Sequence, residues 1–150
     1  MNKLSILLQQ LHIDTNQAFS QADITRVVVH HDNRYTFYIS SPELMPLDNV
    51  KALKEAQHLF PYPCEFLFET TSNHFREEDV IEYSDYIMHH VLGNVPEMQS
   101  MTRDDMDLKD NILTLHTVNH IQCDSIKTQL NEMRTLLSGF GINIDLRAEV

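Results

Sequence analysis

Nine histidines, two cysteines and a run of aspartates are the residues of this chain that could do metal or nucleophile chemistry, and their spacing decides whether they do. His30 and His31 are consecutive in a predicted strand, so they point to opposite faces and cannot share one ion. His89 and His90 lie about 100° apart on a predicted helix, and neither is expected to have a histidine or carboxylate partner at the four-residue spacing that an HExxH site uses. His116 and His120 straddle a strand end and a helix start, where the chain changes direction. Asp104, Asp105, Asp107 and Asp110 crowd "RDDMDLKD", but a calcium loop needs a glycine at its sixth position and a closing glutamate, and both are missing. A two-metal site draws its carboxylates from separate rigid elements, so this run is expected to be a solvated acidic loop.

Cys64 and Cys123 show no CxxC spacing and are expected to be reduced thiols in or near a core. There is no GxSxG elbow. With glycines only at 93, 139 and 141, neither GxGxxG nor GxxxxGK can be written. The sequence therefore assigns no catalytic, cofactor-binding or metal residues.

Eleven basic against 22 acidic residues give a formal net charge of −11, a balance that repels phosphate backbones. The first residues have no signal-peptide pattern, and no stretch approaches the roughly 20 apolar residues of a membrane span. A cytoplasmic, soluble, monomeric protein is expected, and one packed domain over residues 1–150.

The elements follow from periodicity. Leu4, Leu7, Leu8 and Leu11 mark a first helix. "ITRVVVHH" and "YTFYIS" flank Asp32-Asn33, a pair that tolerates the positive φ of a hairpin turn. "LDNVKALKEAQHLF" is a helix ended by "PYP", and "CEFLFET" a third strand. A second long helix spans 77–92, with Val80, Ile81, Ile87, Met88, Val91 and Leu92 as its stripe. Residues 94–110 are the least regular and are expected to form a mobile loop. "NILTLHTV" and "INIDL" are two further strands, parallel because a helix with Ile126, Leu130, Met133 and Leu137 joins them. Asn119 and Gln122 have capping-box character at its start. The expected fold is α+β: one mixed sheet of about five strands with helices on one face. No internal repeat is visible.

Binding rather than catalysis is left. Tyr38, with His30 and His31, could form a protein-contact face on the hairpin. Met98, Met101 and Met106 in the irregular segment could anchor an adaptable interface or fold back over the sheet, and Asp104 and Asp105 could steer a basic partner. A single-strand nucleic-acid binder stacking bases on Tyr35 and Tyr38 is the alternative, although Arg26 and Arg34 are the only basic residues on that hairpin.

Taken together, "ADITRVVVHHDNRYTFYISSPELMPLDNVKALKEAQHLF" resembles the N-terminal region of PolC, the Gram-positive type of DNA polymerase III alpha subunit. "ILTLHTVNHIQCDSIKTQL" and "LLSGFGINIDL" are similar to the later strand, Asn-capped helix and closing strand of that region. The chain departs from the family in having no tryptophan, Tyr35 standing where Trp is frequent. The resemblance implies a piece of a much longer polymerase and 3'-5' exonuclease chain whose catalytic carboxylates lie downstream. It implies a KH-like arrangement similar to the C-terminal domain of the clamp-loader tau subunit, here without a GxxG loop. It also implies a non-catalytic docking role towards tau or another replication factor, with no cofactor.

Overall fold

The computed structural model describes residues 2–150. The chain divides into two compact units, Met1–Asn73 with Gly139–Gly141, and His74–Ser138 with Ile142–Val150.

In the first unit, α1 (Lys3–Gln10) opens at Asn2, whose side chain accepts the Ser5 N–H at 2.8 Å. It buries the Leu4, Leu7 and Leu8 that the sequence spaces at helical period. The short α2 (Gln17–Ser20) is capped by Asn16, which also exchanges two 3.1 Å hydrogen bonds with the buried amide of Asn49. That reciprocal pair satisfies the amide of a residue otherwise surrounded by the core. β1 (Asp23–Val29) and β2 (Tyr35–Ser41) are antiparallel, turned at Asn33 with φ 63°. α3 (Leu47–Ala56) buries Leu47, Val50 and Leu53 and carries the chain to β3 (Cys64–Thr70), parallel to β2. The order is β1-β2-β3. Because side chains alternate along a strand, Phe37, Ile39, Phe66 and Phe68 share one face and Thr36, Tyr38, Glu65 and Leu67 the other.

The second unit repeats that order of elements without repeating its residues. α4 (Glu77–Tyr86) continues into one wide turn, Ile87–Val91, closed by the Leu92 N–H on the Ile87 carbonyl at 2.9 Å. α5 (Pro96–Gln99) leads to the hairpin of β4 (Met106–Lys109) and β5 (Ile112–His116), turned at Asp110 and Asn111 with φ 53° and 60°. α6 (His120–Lys127) and α7 (Leu130–Gly139) carry the chain to β6 (Asp145–Glu149), parallel to β5 as the helical connection requires. Ile126, Met133 and Leu137 are fully buried, whereas Leu130 is half-buried because the helix breaks before it. Thr128 donates its hydroxyl back to the Ser125 carbonyl at 2.6 Å, and the Gln129 N–H reaches Ile126 rather than Ser125.

The fold is α+β with mixed strands, as expected, but its six strands form two three-stranded sheets rather than one sheet of about five. The strand missing from the sequence reading is β4, only four residues long. It lies in the segment expected to be a mobile loop and is identifiable only by its pairing with β5.

Candidate functional site

The face of the first sheet that carries Tyr38 is held by two local arrangements. The Arg26 guanidinium lies 4.0 Å from the centre of the Tyr38 ring, its cross-strand neighbour. The buried Thr36 hydroxyl donates to Glu65 at 3.0 Å, and its oxygen therefore accepts from His30 Nε2–H at 2.9 Å. Tyr38 and His30 thus share a face, but each already has a partner, and His31 is exposed beside the turn. The opposite face gathers aromatic rings: Tyr35 stacks on Phe37 at 6.0 Å and on Tyr62 at 5.4 Å, and meets Phe60 edge-on at 5.1 Å. Tyr35 and Tyr38 accordingly lie on different faces and do not form one stacking platform.

In the second unit the segment 94–110 is built of named contacts rather than being a mobile loop. Gln99 Nε2 donates to the Met88 carbonyl at 3.0 Å, and His89 Nε2 lies 3.2 Å from the Gln99 carbonyl. His89 Nδ1 lies 3.1 Å from Asp85, four residues earlier, which corrects the expectation that His89 has no carboxylate partner at that spacing. Asp85 also accepts from Arg103 at 3.3 Å. Asp105 closes a reciprocal cap, accepting from the Thr102 N–H at 2.9 Å and its hydroxyl at 3.1 Å. Asp104 is exposed. Met98, Met101 and Met106 are 0%, 1% and 5% exposed, which corrects the reading of them as interface anchors: they are core. Of the two alternatives for these thioethers, the buried one is adopted.

Two features were not singled out from the sequence. On the outer face of the second sheet, His116 Nε2 lies 2.6 Å from Asp107, and its Nδ1 3.8 Å from Glu149. Among the described residues no group of three or more His, Cys, Asp or Glu side chains is placed to hold a metal ion.

The second feature is a shallow groove of about 300 Å3 lined by Pro96, Glu97, Ser100, Val118, Ile121 and Gln122. Asn119 accepts the Gln122 N–H at 2.8 Å, which starts α6. Gln122 completes the cap one residue earlier than a standard capping box, taking the Val118 N–H on Oε1 at 2.9 Å. Its Nε2 reaches Ser100 Oγ at 3.1 Å and the Glu97 carbonyl at 3.3 Å. Val118 and Ile121 are left 82% and 78% exposed, more than any other large apolar side chain described. Ile121 lies roughly opposite Cys123 and Ile126 at 100° per residue, so a helical projection of the sequence would have shown it outside the buried stripe.

Burial is the main cause that displaces the titration of three groups. Desolvation lowers the Lys54 ammonium and raises the Cys64 thiol. It raises the Tyr83 phenol far above its ordinary value, with the charges of Glu82 and Asp79 adding to the effect. Cys64 and Cys123 are both free thiols. No helix among the described residues is long and apolar enough to cross a membrane.

The helix, hairpin and helix that open the first unit are also where comparison with known families finds its match. Residues 3–58 match the family DNA polymerase III polC-type N-terminus I. Over those residues the chain is similar to the N-terminal domain of polC-type DNA polymerase III, the family that the hairpin and the "SPELMP" break resemble. The polC-type match runs from the start of α1 to just past α3; β3 and the whole second unit lie outside it. No curated protein matches the chain.

Proposed function

We propose that this chain is a non-catalytic module of a polC-type DNA polymerase III alpha subunit that docks the polymerase to another replisome protein, the clamp-loader tau subunit foremost. The observation that carries the reading is the polC-type N-terminal match over residues 3–58. Three features support it. The net charge of −11 disfavours a phosphate backbone as ligand. Each unit runs helix, hairpin, helix and parallel strand, an order in keeping with a KH-like arrangement, while the glycines at 93, 139 and 141 write no GxxG loop. The acidic residues concentrate on one unit, which favours fast association with a basic protein surface.

The test is a chemical-shift titration of the isotopically labelled 150-residue chain at low salt, with tau in one series and single-stranded DNA in another. Shifts confined to the protein series are expected. Shifts with DNA that vanish as salt rises, with none from tau or other replisome subunits, would replace the docking reading with a single-strand binder.

A further inference from the structure

We infer that the groove between Val118 and Ile121 takes a basic segment of a partner protein, with one aliphatic side chain of that segment seated against the exposed pair. The inference rests on the docking reading above and gives it a place and a chemistry.

Isolated exposed aliphatics are ordinary on protein surfaces, so exposure alone assigns nothing. Here the two most exposed large apolar side chains flank one concavity, with Pro96 completing its apolar wall. At about 300 Å3 it is at the small end of ligand clefts, the size for one anchoring side chain rather than for a cofactor. Its walls are fixed in advance. Gln122 ties the Val118 backbone to Glu97 and Ser100 through one amide, and Asn119 fixes the first turn of α6 beneath Ile121. A preformed groove loses little conformational freedom on binding, so more of the contact energy appears as affinity.

Charge selects the occupant. The unit that holds the groove carries fourteen acidic residues against six basic, where the other unit has eight against five. Glu97 is in the wall of the groove, and the exposed Asp124 lies one helical turn beyond Ile121. Arg103, the basic residue nearest in sequence to the wall formed by α5, is held by Asp85. An acidic or neutral segment would gain the apolar contact against this field, and a second copy of the same acidic chain would meet its like charge. A basic segment gains from both terms, and the field speeds its approach.

The experiment uses a fluorescein-labelled 14-residue amphipathic peptide of lysine and leucine, with serine-for-leucine and glutamate-for-lysine peptides as controls. Its binding to the 150-residue chain is read by anisotropy. The lysine-leucine peptide is expected to bind at least tenfold more tightly than either control. The double variant Val118→Ser with Ile121→Ser should lose at least tenfold, with an unchanged unfolding midpoint because both side chains are already exposed. Glu97→Gln with Asp124→Asn should lose about threefold and flatten the salt dependence. Equal binding of the double serine variant, or of the glutamate-leucine peptide, would overturn the proposal. So would sedimentation of the unaltered chain as a dimer that the serine variant dissolves. The docking reading is judged separately with tau itself. Tau shifts without peptide binding remove the groove and leave the reading. Peptide binding at the groove without shifts from any replisome protein removes the reading and leaves a basic-segment site.

Discussion

Replacing Gln122 by alanine removes one side chain and four polar contacts in a single step, the weakest of them Nε2 to Met101 Sδ at 3.6 Å. The Val118 N–H loses its acceptor at 2.9 Å, and Ser100 Oγ and the Glu97 carbonyl lose the Nε2 donor at 3.1 and 3.3 Å. A neutral hydrogen bond in a folded protein nets about 0.5–1.5 kcal/mol, and the groups released here are near water and regain hydration. The low end applies, so the loss should be about 1–2 kcal/mol of unfolding free energy. For a chain of this length that is roughly 2–4 °C in midpoint per kcal/mol. Gln122→Glu separates the contributions: it keeps an oxygen for Val118 but offers no donor to the Glu97 carbonyl, so about half the loss should remain. Urea unfolding gives the free energies, and amide exchange at Val118 reports the bond itself. A Gln122→Ala variant with wild-type midpoint and wild-type Val118 exchange would refute the claim that this amide fixes the groove, and with it the argument for a preformed pocket.

Other perturbations test other parts of the structure. Burial holds the Tyr83 phenol neutral in the folded chain, well above the usual value near 10. Its contribution is complete below pH 10 and is lost above it, where only the unfolded chain releases the proton, at up to about 1.4 kcal/mol per pH unit. Tyr83→Phe should flatten the fall in stability between pH 10 and 11.5 in denaturant melts, and an unchanged slope would contradict the burial argument. Met98→Ala should cost about 2–5 kcal/mol as a core truncation, against under about 1.5 for Met98→Leu; near-zero cost for both would return Met98 to the surface. Asp105→Ala should lose about 1 kcal/mol through the cap on Thr102, while Asp104→Ala stays within about 0.5; equal effects would mean the cap carries no stability. Asn111→Ala should cost about 1 kcal/mol because φ is 60° there, and Asn111→Gly should avoid that cost.

Much of the first unit was legible. The hairpin at Asp32-Asn33 and the strand "CEFLFET" lie where period and turn residues put them, because each depends on neighbours close in sequence. The same holds for the stripe of Ile126, Met133 and Leu137. The helix expected to run to "PYP", by contrast, stops at Ala56 and tightens into a 3-10 turn over Gln57–Leu59. The candidate site was less legible. His30 and Tyr38 do share a face, yet their engagement with Thr36 and Arg26 depends on cross-strand register. The methionines of 94–110 lie in a segment too irregular for any period to assign them inside or outside.

The sequence by itself determined the type of most elements, the lack of phosphate-cradling glycine motifs, the acidic balance and the similarity of residues 3–58 to polC-type N-termini. Those properties belong to local runs of residues or to the composition as a whole. Only the tertiary structure decided that the strands make two sheets in place of one, that Met98, Met101 and Met106 are core, and that Val118 and Ile121 stand together at the surface. β4 is a strand because β5 offers it a ladder across the Asp110-Asn111 turn, and the Val118 backbone is held by Gln122, whose amide reaches Glu97 and Ser100 more than twenty positions before it. Pairings between distant segments fix such outcomes, and a four-residue strand or a single exposed valine has no periodicity of its own from which to read them.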